Sequence, residues 1–235
     1  MKSTNDQELN NPVNILRVAL LLLALMLFTP AFPQIFRAKG GVNLTAMYPR
    51  DSYEHSSIKY PPNPGLHLGS TIEMPISRRY SIESGLFLST KGYKRRNTQY
   101  TSVLTYTMKT DINFVYLEVP ILAKATIKRS GKKYFAQAGP YLGLAILGNY
   151  VRATVIENDT QSTTTTDKGK IEWISEGGDY QRLDYGLMVG GGVEIRSVNF
   201  GLTYGLGLAR NKPDYRFESH QRNHVIGLSA GYRFN

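Results

Sequence analysis

Val115–Ile127 reads VYLEVPILAKATI, and its alternation decides how the rest of the chain is read. Val115, Leu117, Val119, Ile121, Ala123, Ala125 and Ile127 fall on one side of an extended chain; Tyr116, Glu118, Lys124 and Thr126 fall on the other, with Pro120 and Leu122. A period of two kept up over this length marks a strand with one apolar and one polar face, whereas a helix would scatter the same residues around its circumference. Seven further stretches repeat the pattern.

Working outward, strands are expected at about Phe36–Tyr48, Leu66–Ile76, Tyr80–Gly92, Val115–Ile127, Tyr134–Leu147, Leu183–Arg196 and Val198–Leu208, with an eighth around Ile226–Phe234. Most meet the ~9–11 residues a tilted transmembrane strand needs. Connections alternate in length. Segments near 49–64, 93–111, 148–181 and 210–222 are long, while turns near 77–79, 129–132 and 196–198 are short. Long loops at one end and tight turns at the other are a feature of outer-membrane barrels. The expected fold is therefore all-β, an eight-stranded antiparallel up-and-down transmembrane β-barrel with both termini in the periplasm of a Gram-negative cell. A soluble lipocalin-type barrel shares the strand count and period with its faces reversed. Against it stand the charged residues and glycines on the polar faces, and a girdle of Phe36, Tyr48, Tyr80, Tyr134, Tyr232 and Phe234 near strand ends.

Composition agrees. Mean hydropathy is −0.29, as expected where inward polar residues offset outward apolar ones. With no cysteine, thiol chemistry, disulfides and cysteine-based zinc sites are excluded. The net charge of +10 comes from turns and loops without a nucleic-acid motif, so an anionic lipid or lipopolysaccharide surface is expected and nucleic acid is not. Val18–Phe28, VALLLLALMLF, is too short to span a bilayer as a helix and has the shape of a secretory signal. Residues 1–33 are read as a cleaved signal peptide, with an uncleaved anchor as the alternative, and 34–235 as the barrel domain.

An eight-stranded barrel holds little beyond its own side chains. Following the strands up and down places Arg37, Lys39, Glu73, Glu83, Lys124, Glu194, Arg196 and Arg233 in one half of the lumen. Isolated charges there are costly, so pairs are expected, Glu73 with Lys39 and Glu83 with Lys124, as a packing plug rather than an ion path. Glycines such as Gly192, Gly227 and Gly231 make room. Pro120 and Pro140 each remove a ladder donor, and a bulge or ladder break is expected where Pro120 meets Tyr141. At the outer mouth, Lys91, Lys94, Arg95 and Arg96 are candidate lipopolysaccharide contacts, and 157–178, with its four threonines, reads as a mobile surface loop. His55, His67, His220 and His224 have no catalytic spacing, and no phosphate loop or metal cluster is present.

YLEVPILAK (116–124), AGPYLGL (138–144), DYGLMVGGGVEI (184–195), KGGVNLTAM (39–47) and the closing GYRFN (231–235) resemble the PorT-like outer-membrane β-barrel family of Bacteroidota. The likeness covers roughly 35–235. It implies insertion by the barrel-assembly machinery, with Phe234 in the terminal signal, and one branch of the family is linked to type IX protein secretion. It implies no active-site residue and no cofactor. The function expected is a non-enzymatic structural or interaction component of the cell envelope, accessory to secretion or partnered by a surface protein. The alternative is a binding barrel that captures a ligand or adhesin with its loops; a lipid-modifying enzyme is third.

Overall fold

The computed structural model describes residues 34–48, 57–158, 160–173, 180–209 and 222–234. The signal expected at residues 1–33, and His55 and His220, lie outside these. Ten strands follow in order: β1 (Ile35–Tyr48), β2 (Ser57–Lys59), β3 (Asn63–Pro75), β4 (Tyr80–Tyr100), β5 (Thr105–Arg129), β6 (Lys132–Glu157), β7 (Ser162–Lys170), β8 (Leu183–Ile195), β9 (Val198–Gly207) and β10 (Arg222–Phe234). Eight close a ring in the order β4-β3-β1-β10-β9-β8-β6-β5, and a β5–β4 ladder completes it. Every neighbour is antiparallel. The two extra strands stand outside the ring, β2 on β4 and β7 on β6.

Side-chain faces follow the period-two reading. Outward Leu66, Leu68, Leu187, Leu202 and Leu228 are each more than half exposed, while inward Arg37, Glu83 and Asp184 are at most 2% exposed. An apolar belt of this extent is not something soluble monomers show to water. In hydrocarbon it is at home, because a ladder closed into a ring has no open edge. The reversed-face soluble barrel is thereby set aside. At the end of the ring that carries Ile35 and Phe234, hereafter the termini end, Phe36, Tyr80, Tyr134, Tyr232 and Phe234 stand exposed on the outer wall as the expected aromatic girdle. The Tyr232 and Phe234 rings meet edge-on with centroids 5.3 Å apart.

Two irregularities shape β5 and β6. Pro120 does face Tyr141, and the β5–β6 ladder breaks at the next two residues, before Ala123 and Ala138 pair again. The Pro120 carbonyl accepts a hydrogen bond from Ser84 Oγ at 2.7 Å, which partly offsets the lost ladder contacts. The bulge itself lies further on: Val115 pairs with Leu147 but Tyr116 with Ala145, leaving Ile146 extra. Beyond it the inward parity of β6 switches, so that Gly148 is buried while Ile146 and Leu147 both face out.

Three strands greatly outrun the expected span. β4, β5 and β6 have 21, 25 and 26 residues. At about 3.4 Å per residue β5 is on the order of 85 Å long. The segments 93–111 and 148–181, expected as loops, are therefore largely sheet. The four threonines Thr163–Thr166 lie in β7, hydrogen-bonded to β6, rather than in a mobile loop.

Candidate functional site

The lumen is filled in layers. At the termini end, β-register sets Glu73 directly opposite Glu83, with Arg37 on β1 one step diagonal to Glu73 and Lys124 on β5 opposite Ser81. Two facing carboxylates repel, and three cations resolve that conflict. Arg37 pairs with Glu73 and, at 2.8 Å, with Glu194; Lys124 lies 2.8 Å from Glu73 and 2.9 Å from Glu83; Lys39 pairs with Glu83. Ser81 Oγ donates to Glu73 at 2.8 Å. At the rim, Lys133 and Arg233 reach Glu194 at 2.8 and 3.1 Å.

This network corrects the sequence reading in two places. Lys39 bonds Glu83, not Glu73, because Arg37 is the nearer cation across the β1–β3 pair; the Glu83–Lys124 pair is as expected. Arg196 is not in the lumen: β8 ends at Ile195, and Arg196 is an exposed turn residue with φ 56°. Lys133, missed from sequence, shares the inward parity of Phe135 and Gln137.

A second charged layer lies further along. Lys91, expected at the outer mouth, is buried: its ammonium pairs with Glu118 and, at 3.0 Å, with Asp184, and lies 4.5 Å from the Tyr141 ring centre. Gly143 pairs with both Glu118 and Asp184, so its missing side chain leaves room between them. Alternation places all three residues inward, which was the available signal. Lys94 is half-buried and Arg95 and Arg96 are exposed on the β4 extension.

Between the two charged layers lies a cavity of about 80 Å³, bordered by Lys39, Asn43, His67, Ser89, Gln137 and Tyr141. It has room for a few waters and is well below the 300–1,000 Å³ of small-molecule sites. Asn43 joins two of its walls: its amide donates to Ser89 Oγ at 2.9 Å and its Oδ1 lies 2.8 Å from His67 Nδ1. Oδ1 can only accept, so His67 Nδ1 carries the proton. A serine nucleophile needs an imidazole on its hydroxyl. Here the asparagine stands between the two. His224 lies with Tyr204 near the far end, 2.6 Å from its hydroxyl.

Towards the far end the lumen side of β4, β5 and β6 is packed with aromatic residues. Tyr93, Ile112, Phe114, Tyr116, Ala145, Ile171 and Trp173 form one buried cluster. Phe114 is its centre, 5.8 Å from Trp173 and 5.6 Å from Tyr180 between ring centres, and the Tyr93 and Tyr180 hydroxyls are hydrogen-bonded at 3.0 Å. The chain leaving β7 stays tied to β6 by the Ile171 amide, which donates to the Gly148 carbonyl at 2.9 Å and extends the β6–β7 ladder by one step.

A closed antiparallel ring, apolar without and ion-paired within, defines an outer-membrane β-barrel. In agreement, residues 36–212 match the model of the outer membrane protein beta-barrel domain, and the chain belongs to that family. Solved structures similar to it include Ail, the attachment invasion locus protein of Yersinia pestis, at 12% identity over 85% of this chain and 98% of that one, with a TM-score of 0.37. Neisserial surface protein A matches at 12% identity over 85% and 97%, with a TM-score of 0.39. OprG from Pseudomonas aeruginosa matches at 10% identity over 87% and 97%, with a TM-score of 0.38. Comparison with curated proteins returns no match.

Proposed function

We propose that the protein is a non-enzymatic barrel of the outer membrane that serves as a structural and interaction component of the envelope. The observation that carries this is the closed lumen: an ion-paired layer at one end, an aromatic lid at the other and only about 80 Å³ between them. With no room for a substrate and no activated hydroxyl at Ser89, the work falls to the surfaces at the two ends. The far-end surface is a built one. The β4–β5 hairpin carries exposed Tyr100, Val103 and Leu104 at its tip, and apolar tips held on a rigid sheet suit a protein contact.

The tight turns and girdle support an orientation with periplasmic termini and the extension outside the cell. In that setting Lys94, Arg95 and Arg96 would meet lipopolysaccharide phosphates; Lys91, being buried, would not. The sequence resemblance supports a PorT-like barrel of a Bacteroidota-type bacterium, exported by residues 1–33, inserted by the barrel-assembly machinery and accessory to secretion. Replacing residues 97–108 by an Asn-Gly turn tests the surface reading. Assembly, read from heat-modifiable electrophoretic mobility, should persist, and proteins cross-linked to the barrel in native envelopes should be lost. An unchanged set of cross-linked proteins would contradict it.

A further inference from the structure

The termini end carries a charge pattern that folding does not explain. Its three tight turns hold Arg78 and Arg79, then Lys128, Arg129 and Lys132, then Arg196, and contain no Asp or Glu. Among the described residues, none of these six cations has a carboxylate within salt-bridge distance, while Glu73, Glu83 and Glu194 are already engaged inside the lumen. Two of the local arrangements are unfavourable in isolation. On the β5–β6 hairpin Arg129 is directly opposite Lys132 and Lys128 directly opposite Lys133, and like charges so placed repel. Arg196 occupies a left-handed backbone position, φ 56°, that glycine or asparagine would hold with less strain. An anion from outside the chain, bound near these cations, would relieve that repulsion.

The shape of this end says what kind of anion. A cavity of about 190 Å³ opens on the lumen side of the ring, with Arg78, Arg79 and Lys128 among its walls and the Glu73–Lys124 pair at its floor. Its wall is rigid. Ser77 Oγ accepts from the Tyr80 amide at 3.1 Å, and the Arg79 carbonyl accepts from the Thr126 amide at 2.8 Å, tying the turn to β5. A bilayer headgroup lies outside the barrel, whereas this cavity lies within its circumference. Ile35, Pro75 and Phe135 add apolar surface to a lining that is otherwise polar and includes Glu194, which suits side chains with aliphatic stems better than a bare inorganic ion.

We propose that the mouth at the termini end is a docking site for an acidic, extended peptide segment of a soluble partner, whose Asp or Glu side chains enter between Arg78, Arg79 and Lys128. The inference holds whichever compartment the termini face, so its failure and that of the surface reading above are separate results.

The test uses the full chain in nanodiscs of neutral phosphatidylcholine and a fluorescein-labelled Glu/Asp-rich dodecapeptide, followed by anisotropy. The peptide should bind and its Gln/Asn counterpart should not. The variant Arg78→Gln/Arg79→Gln/Lys128→Gln should lose about tenfold or more in affinity, as removal of several interfacial charges does. The far-end variant Lys59→Gln/Arg96→Gln/Lys109→Gln should bind as the parent does. Emission of Trp173, the only tryptophan, reports that each variant has folded. Arg196→Gly, a rim change outside the cavity that relieves strain, keeps the test usable should the triple variant not fold: a loss of about twofold is expected, and a loss as large as tenfold would overturn the cavity as the site. Absence of binding, equal loss in the far-end variant, displacement of the peptide by inorganic phosphate, or its displacement by phosphatidylglycerol added to the disc would each overturn the proposal.

Discussion

The two ends of the lumen solve the same problem with opposite chemistry. At the termini end the plug is ionic: Arg37, Lys39, Lys124, Glu73, Glu83 and Glu194 lie within one network of short contacts. At the far end, where β4, β5 and β6 run on past the ring, the plug is aromatic, with Phe114, Trp173, Tyr93 and Tyr116 under the strap that leaves β7. The ionic plug is built wholly from strands of the closed ring and is set by register. The aromatic lid draws Ile171, Trp173 and Tyr180 from a connection and packs them on Phe114 and Tyr116 of β5. An ionic plug fails when one partner is removed, because the remaining charges stay buried. An aromatic lid loses contact area in proportion to what is cut away, and its failure stays local.

That contrast can be broken at several points. Glu73→Gln/Glu83→Gln should have the largest effect, on the order of 5 kcal/mol or more, since each change strands buried cations and single losses of this kind cost about 3–5 kcal/mol. Denaturant unfolding of the barrel in lipid vesicles would show it as a lowered midpoint or a failure to assemble; a shift below 1 kcal/mol would mean the lumen is wetter than this account allows. Phe114→Ala should cost about 3 kcal/mol, within the range for buried aromatics, and its signature should be local. Trp173 is 5% exposed, so acrylamide quenching of its emission should rise sharply in this variant while the ring stays assembled.

Gly231→Ala comes next. A methyl group there would sit 2.8 Å from Lys39 Cγ and press on Asn199, forcing the lysine to shift, at a cost of about 1–3 kcal/mol by denaturant midpoint. Smallest is Arg95→Gln/Arg96→Gln on the exposed extension, which should leave stability within about 0.5 kcal/mol. A larger loss would show that the extension is part of the folding core and not a platform mounted on it.

Much of this architecture is written in the alternation. Leu66, Leu68, Ile72 and Met74 against His67, Gly69, Thr71 and Glu73 could be assigned to two faces without any structure, because a one-residue slip would invert every one of them. Strand lengths were less legible. Residues 93–111 and 148–170 alternate Thr, Arg, Tyr and Lys with few aliphatics, so outside the bilayer neither face is marked as apolar and the strands read as loops. Lys91 shows this: with β4 taken to end at Gly92 it falls at a mouth, whereas eight more residues of strand put it inside. Arg196 goes the other way: it lies one residue past the end of β8, in a turn whose left-handed backbone a sequence does not display. Individual ion pairs depend on how adjacent strands are staggered, which is why Glu83–Lys124 could be anticipated and Arg37–Glu73 could not. The bulge at Ile146 leaves no mark in the local pattern, and Trp173 and Tyr180 of the aromatic lid come from a connection whose course alternation does not give.

Single-channel recording in planar lipid bilayers tests the closed lumen most directly. With the ionic layer and the aromatic lid both in place, the purified full-length barrel should insert and show no stable conductance above the bilayer background, and removing the lid with Phe114→Ala should leave it closed because the ionic layer remains. Stable, long-lived open channels in the unmodified protein would contradict the account.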